Sequence, residues 1–173
     1  MLDIGEHSLN GREHKCLFRN NGDGTFTDVA HVNTVDRIED GRGLSLFDFD
    51  GDGQVDILTR NYRQPAQLLR NTGGAQHWVA FKLTGTKSNR DAVGARVMLS
   101  SGGKRQMREV TCGSGYLSNQ TLVQHFGLGS ATEVDEVEVR WPSGASTLMF
   151  HVPADGLVHI VEGQGASSGS AGF

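Results

Sequence analysis

The sequence predicts an all-β protein in two parts: propeller-blade-like hairpins with a calcium loop, joined to a C-terminal antiparallel β-sandwich. Three observations predict it. Glycine is abundant at 24 of 173 residues and proline scarce at 3, and no four-turn amphipathic stretch occurs, so turns rather than helices punctuate the chain. Short apolar segments alternate with period two between clusters of Gly, Asn, Asp and Ser, as half-buried strands do. One loop between two such segments concentrates four carboxylates.

Residues 1–14 are polar and patternless, a loosely tied lead-in. Residues 16–19 form a short strand, Asn20-Asn21-Gly22-Asp23-Gly24 a turn, and residues 25–29 the returning strand. Asp23 with two amides offers too few ligands for a metal, so the turn reading stands. Residues 30–41 are a polar connection with room for a turn of helix.

Next come strands over 44–47 and 55–58, with Asp48-Phe49-Asp50-Gly51-Asp52-Gly53-Gln54-Val55-Asp56 spanning the junction. Four like charges in so tight a loop repel unless a cation neutralises them. Ca2+ accepts six to eight oxygens in irregular geometry and suits such a loop. Acids stand at positions 1, 3 and 5, Gly53 at 6, the Gln54 carbonyl at 7 and Asp56 at 9. The ligand set is therefore Asp48, Asp50, Asp52, Gln54 and Asp56. Position 12 is Thr59, not the bidentate Glu of a helix-loop-helix site, and strands rather than helices flank the loop. Residues 67–71 echo 16–20, two apolar residues before Arg-Asn, a faint repeat at a spacing of about fifty residues that suits a propeller-like array.

Beyond Thr72-Gly73-Gly74 the strands come at regular intervals. Val79, Phe81 and Leu83 share one face, as do Ala95, Val97 and Leu99. Gly102-Gly103 turns the second of these onto 104–110. A short strand covers 123–126. Over 135–141, Val137, Val139 and Trp141 point in, and Glu136, Glu138 and Arg140 out. Strands over 146–151 and 157–162 follow, for seven or so in all, which is the count of a β-sandwich. Residues 163–173 are Gly/Ser-rich and read as a flexible tail.

The composition excludes several functions. Removing the loop's four carboxylates from the 20 acids leaves 16, matching the 16 Lys and Arg, and no basic cluster occurs, so nucleic acid is not the partner. No apolar run approaches a membrane span. Met1-Leu2-Asp3-Ile4-Gly5-Glu6 has neither the basic start nor the apolar core of a signal peptide. Yet a weak calcium site fills only where calcium is millimolar, so the chain reads as an extracellular or periplasmic fragment. Cys16 and Cys112 stand in no metal or redox spacing and read as two buried free thiols. Seven scattered histidines include no zinc spacing, and His125 reads as supporting a turn. Ser114 is not in a nucleophile elbow. Outside the loop the acids form no obvious pair, so no catalytic residue is assigned.

Residues 17–29 together with 48–57 resemble the FG-GAP/VCBS repeats of β-propellers. Four later stretches, 89–97, 113–120, 125–129 and 139–144, resemble the ASPIC/UnbV domain. Both resemblances together cover roughly residues 15–162, in the family's own order. They imply a repeat over 15–72 and a sandwich over 75–162, with Ca2+ held by the same five loop residues. They imply no activity for the second domain. Sixty residues make one blade, so the chain reads as the end of a larger protein or a piece that must cover its open blade edges; an uncovered edge invites a homodimer.

The expected function is a non-catalytic, calcium-binding, secreted interaction module of adhesion-like type, binding protein or glycan. The alternative is an enzyme or enzyme-accessory domain using loops 89–94 and 113–120. If these loops meet, Asn89, Arg90, Asp91, Tyr116, Asn119 and Gln120 would form a binding surface. The plain counterpart is a local Arg90 to Asp91 ion pair with Tyr116 in the core. Trp78 and Trp141 read as core rather than ligand platforms.

Overall fold

A computed structural model describes residues 13–74, 76–116, 118–164 and 166–169. The lead-in over 1–12, including the Met1-Leu2 start, Leu117 of loop 113–120 and the end of the tail over 170–173 lie outside the described residues. Among the described residues every regular element is a strand.

The first part contains β1 (Phe18–Asn20), β2 (Phe26–Asp28), β3 (Gly41–Phe47), β4 (Asp56–Asn61) and β5 (Gln67–Leu69). β1 and β2 form one hairpin, and β3, β4 and β5 an antiparallel sheet in that order. Residues 30–34 are turns rather than a helix, closed by Asn33 N to the Val29 carbonyl and Val35 N to the Ala30 carbonyl. Little apolar surface is buried here. Phe18 and Phe26 are exposed, and apart from Ala30 the buried side chains of this part are polar: Asp56, Thr59 and Asn61. Hydrophobic burial cannot by itself hold such a unit together.

The second part contains β6 (His77–Thr84), β7 (Arg96–Ser101), β8 (Lys104–Glu109), β9 (Gln124–Gly129), β10 (Glu133–Arg140), β11 (Ser146–Pro153), β12 (Gly156–Val161) and β13 (Ala166–Gly169). Two four-stranded sheets, β11-β10-β7-β8 and β13-β12-β6-β9, face each other. The period-two reading holds in detail. Val79, Phe81, Leu83, Ala95, Val97, Leu99, Val137, Val139 and Trp141 are all buried in one core. On one face of it Phe81 of β6 and Phe126 of the neighbouring strand β9 meet edge to face at 5.8 Å.

Two features depart from the expectation. β12 runs parallel to β6, so the sandwich is not wholly antiparallel. Within the tail expected to be flexible, residues 166–169 pair with β12 as β13. The unpaired backbone groups on the outer edge of β12 explain this pairing, which asks nothing of side chains.

A buried carboxylate closes one end of the sandwich. Glu162 Oε2 accepts the backbone amides of Thr86, Lys87 and Ser88 at 2.8, 2.7 and 2.7 Å. Its Oε1 accepts the Ser88 and Ser143 hydroxyls. Burial pushes its pKa up, but these bonds outweigh burial and hold it at about 2.

Candidate metal centre

The 48–56 loop leaves β3 at Phe47 and enters β4 at Asp56, which are cross-strand partners. Gly51 and Gly53 have positive φ, +75° and +85°, and let the chain double back within nine residues. The loop is organised around its own carboxylates. Asp48 accepts the amides of Gly51 and Gly53, both at 2.8 Å. Asp52 accepts the Gln54 amide at 2.8 Å. Asp56, 1% exposed, accepts the amides of Phe49 and Asn71 at 2.9 and 2.7 Å.

This folding brings Asp48, Asp50 and Asp56 together, with one carboxylate oxygen of each within 4.8 Å of the others. The donors are hard oxygens and one is fully buried, which fits Ca2+. Asp52 stands beside them, bonded to Gln54 through backbone and side chain. Sequence reasoning missed Arg70. It follows β5, and its Nε lies 2.5 Å from Asp50 and its Nη2 3.5 Å from Asp52, a built-in cation against the outer carboxylates.

The second missed feature is a key between loop and sandwich. His125, on β9, donates from Nε2 to the Gly53 carbonyl at 2.7 Å. Its ring stacks on Trp78 at 5.3 Å and 10°. A Cβ at Gly53 would overlap the Trp78 indole. His125 is therefore not a turn support. Burial lowers its pKa, against the opposing bond to Gly53, and so favours the neutral ring. Trp141 is core, as expected, whereas Trp78 is half-buried in this contact. A cavity of about 420 Å³ opens beside it, lined by Phe47, Asp48, Arg108 and Gln120 among others.

The other candidate binding residues divide. Asn89 is spent on Val93, its side chain bonding both backbone groups at 2.8 and 2.9 Å, while Arg90 and Asp91 are exposed. Asn119 and Gln120 belong to the contact between the two parts. Ser118 Oγ and Gln120 Oε1 accept the Leu44 and Leu46 amides at 2.9 and 2.8 Å, and the Asn119 carbonyl accepts the Ser45 hydroxyl at 2.9 Å. The segment thus covers the β3 edge, where an open blade edge was expected. Tyr116, read alternatively as core, is 73% exposed. Both cysteines are free, but exposed rather than buried.

Comparison with known proteins adds the family context. Residues 8–59 match the FG-GAP-like repeat and residues 85–167 match ASPIC and UnbV. The chain is 36% identical over 124 residues to cartilage acidic protein 1 of Mus musculus, and likewise to that of Homo sapiens. It is 38% identical to that of Xenopus tropicalis. Each match covers 67% of this chain but only 18–19% of the relative, so the chain spans about a fifth of the relatives' length.

Proposed function

The chain carries an FG-GAP-like repeat followed by an ASPIC and UnbV domain, and from that premise we propose a non-catalytic, calcium-stabilised interaction module that works outside the cell and binds protein or glycan. The observation that carries the reading is the convergence of Asp48, Asp50 and Asp56 in a loop keyed to the sandwich through Gly53. Asp48, Asp50, Asp52, Asp56 and the Gln54 carbonyl would hold the ion. When bound it supplies charge neutralisation that Arg70 gives only in part.

This chain's residues do the rest. The repeat has little apolar core, so its shape depends on polar contacts: loop amides on Asp48 and Asp56, residues 118–120 on β3, and His125 on Gly53. An ion that binds only the native loop stabilises that arrangement by mass action. A fixed arrangement of two modules presents one rigid surface, which lowers the entropy lost on binding a partner. The test is binding to a glycan array and a panel of purified extracellular proteins, in millimolar CaCl2 and in EGTA, with Asp50→Ala as control. Ligands retained in calcium and lost in both other conditions are expected. Ligands bound equally in all three would refute a calcium-organised surface.

A further inference from the structure

Five buried side-chain oxygens in the repeat lack a hydrogen-bond partner: Glu39 Oε2, Asp40 Oδ1, Thr59 Oγ1, Asn61 Oδ1 and Gln67 Oε1. All five lie at the end of the β3 and β4 pair opposite the 48–56 loop, and of these Asp40 already holds Arg42 Nη2 through its other oxygen at 2.9 Å. Thr59 and Asn61 are two residues apart on β4 and share a face. Gln67 is the cross-strand partner of Thr59, and Gly41 that of Asn61. Gln67 Nε2 donates to Glu39 Oε1 at 2.7 Å, which brings that carboxylate to the same place.

The oxygens are fixed there. Asn61 and Thr59 are 2% and 3% exposed. Asn61 Nδ2 is committed to the Pro65 carbonyl at 2.8 Å, and Gln67 Nε2 to Glu39, so turning either amide would sacrifice a bond. Gly41 puts no side chain over Asn61 Oδ1, and the Lys15 side chain lies there instead: a Cβ at Gly41 would stand 3.3 Å from Lys15 Cε, 3.9 Å from its Nζ and 4.0 Å from Asn61 Oδ1. Lys15 Nζ sits on the Glu39 carbonyl at 2.9 Å and 3.8 Å from Glu39 Oε2, too far to satisfy it. Buried acceptors without donors are rare in proteins, and a cluster of hard oxygens is what a hard cation coordinates.

We propose that Glu39, Thr59, Asn61 and Gln67 form a second hard-cation site, taking Ca2+ through one carboxylate, two amide carbonyls and a hydroxyl. The β3 and β4 pair then carries a cation site at each end, and this one does not depend on the 48–56 loop. With a single carboxylate it is the weaker site, half-filled at about 0.1–1 mM Ca2+.

The test is Ca2+ binding by equilibrium dialysis on the full chain, with Asp50→Ala, Glu39→Gln, the double variant and Gln67→Glu, folding being checked by circular dichroism. Two ions per chain are expected for the unmodified protein, one for each single alteration of Asp50 or Glu39, and none for the double variant. Gln67→Glu adds a second carboxylate and should tighten the weaker site on the order of tenfold. Glu39→Gln binding two ions, or a folded Asp50→Ala variant binding none, overturns the proposal and leaves ordered water as the occupant. Should Glu39→Gln fail to fold, Gln67→Glu decides: unchanged weak affinity overturns the site and a tightened one supports it.

Discussion

Replacing Gly53 by alanine tests whether the loop is keyed into the sandwich. At φ +85° the new Cβ costs about 1–2 kcal/mol by itself. It would also overlap the Trp78 indole, which is stacked on His125 and is not free to retreat. Overpacking of this kind costs about 1–3 kcal/mol. Moving the loop away would break the His125 bond to the Gly53 carbonyl, about 1 kcal/mol more. A loss of about 3–6 kcal/mol is expected, or roughly 6–24 °C in Tm for a chain of this size. Urea denaturation followed by tryptophan fluorescence measures it. Gly22→Ala is the control, because Gly22 also has positive φ, +83°, but nothing within 4 Å of its Cβ position. It should show the backbone cost alone. Equal effects at Gly22 and Gly53 would refute the key.

Two further predictions follow from charge. Glu162 has a folded-state pKa of about 2 against the usual 4.5, so its contribution is whole above pH 4.5 and is lost as pH falls toward 2. Glu162→Gln should be destabilised at neutral pH and show a shallower loss of Tm between about pH 4.5 and 2; an unchanged acid slope would refute the assignment. Arg70→Ala removes the cation beside Asp50 and Asp52. It should lower Tm in EGTA by roughly 1–3 °C and enlarge the calcium-induced rise, measured by scanning calorimetry in both buffers. A smaller rise than in the unmodified protein would mean that Arg70 helps rather than competes with the ion.

Much of the fold was legible because a buried sheet face writes itself into sequence with period two. Val79, Phe81, Leu83, Val137 and Val139 declared their strands and their inward face, and Trp141 continues that face just past the end of β10. β13 did not, since Ala166–Gly169 contributes backbone pairing and carries no apolar alternation. The parallel pairing of β12 with β6 joins residues nearly eighty apart, a distance no local pattern encodes. The convergence of Asp48, Asp50 and Asp56 was legible because acids at alternate positions of one short, glycine-turned loop are brought together by the turn itself. Arg70, Trp78 and His125 were not, because each reaches the loop from another element, and a lone Arg, Trp or His resembles any other. Gln120 looked like a recognition residue for the same reason that it covers β3: backbone edges and ligands ask for the same polar groups, whereas Asn119 gives β3 only its carbonyl and turns its side chain to the Gly113 amide.

The proposed function requires the 48–56 loop to hold Ca2+ in the native fold. Thermal unfolding in millimolar CaCl2 against excess EGTA tests it most directly, with Asp50→Ala alongside. At ten times Kd the ion should contribute about 1.4 kcal/mol, a rise of roughly 3–6 °C that Asp50→Ala abolishes or sharply reduces. An unmodified protein that melts at one temperature in both buffers, or an Asp50→Ala variant that keeps the full rise, would contradict it.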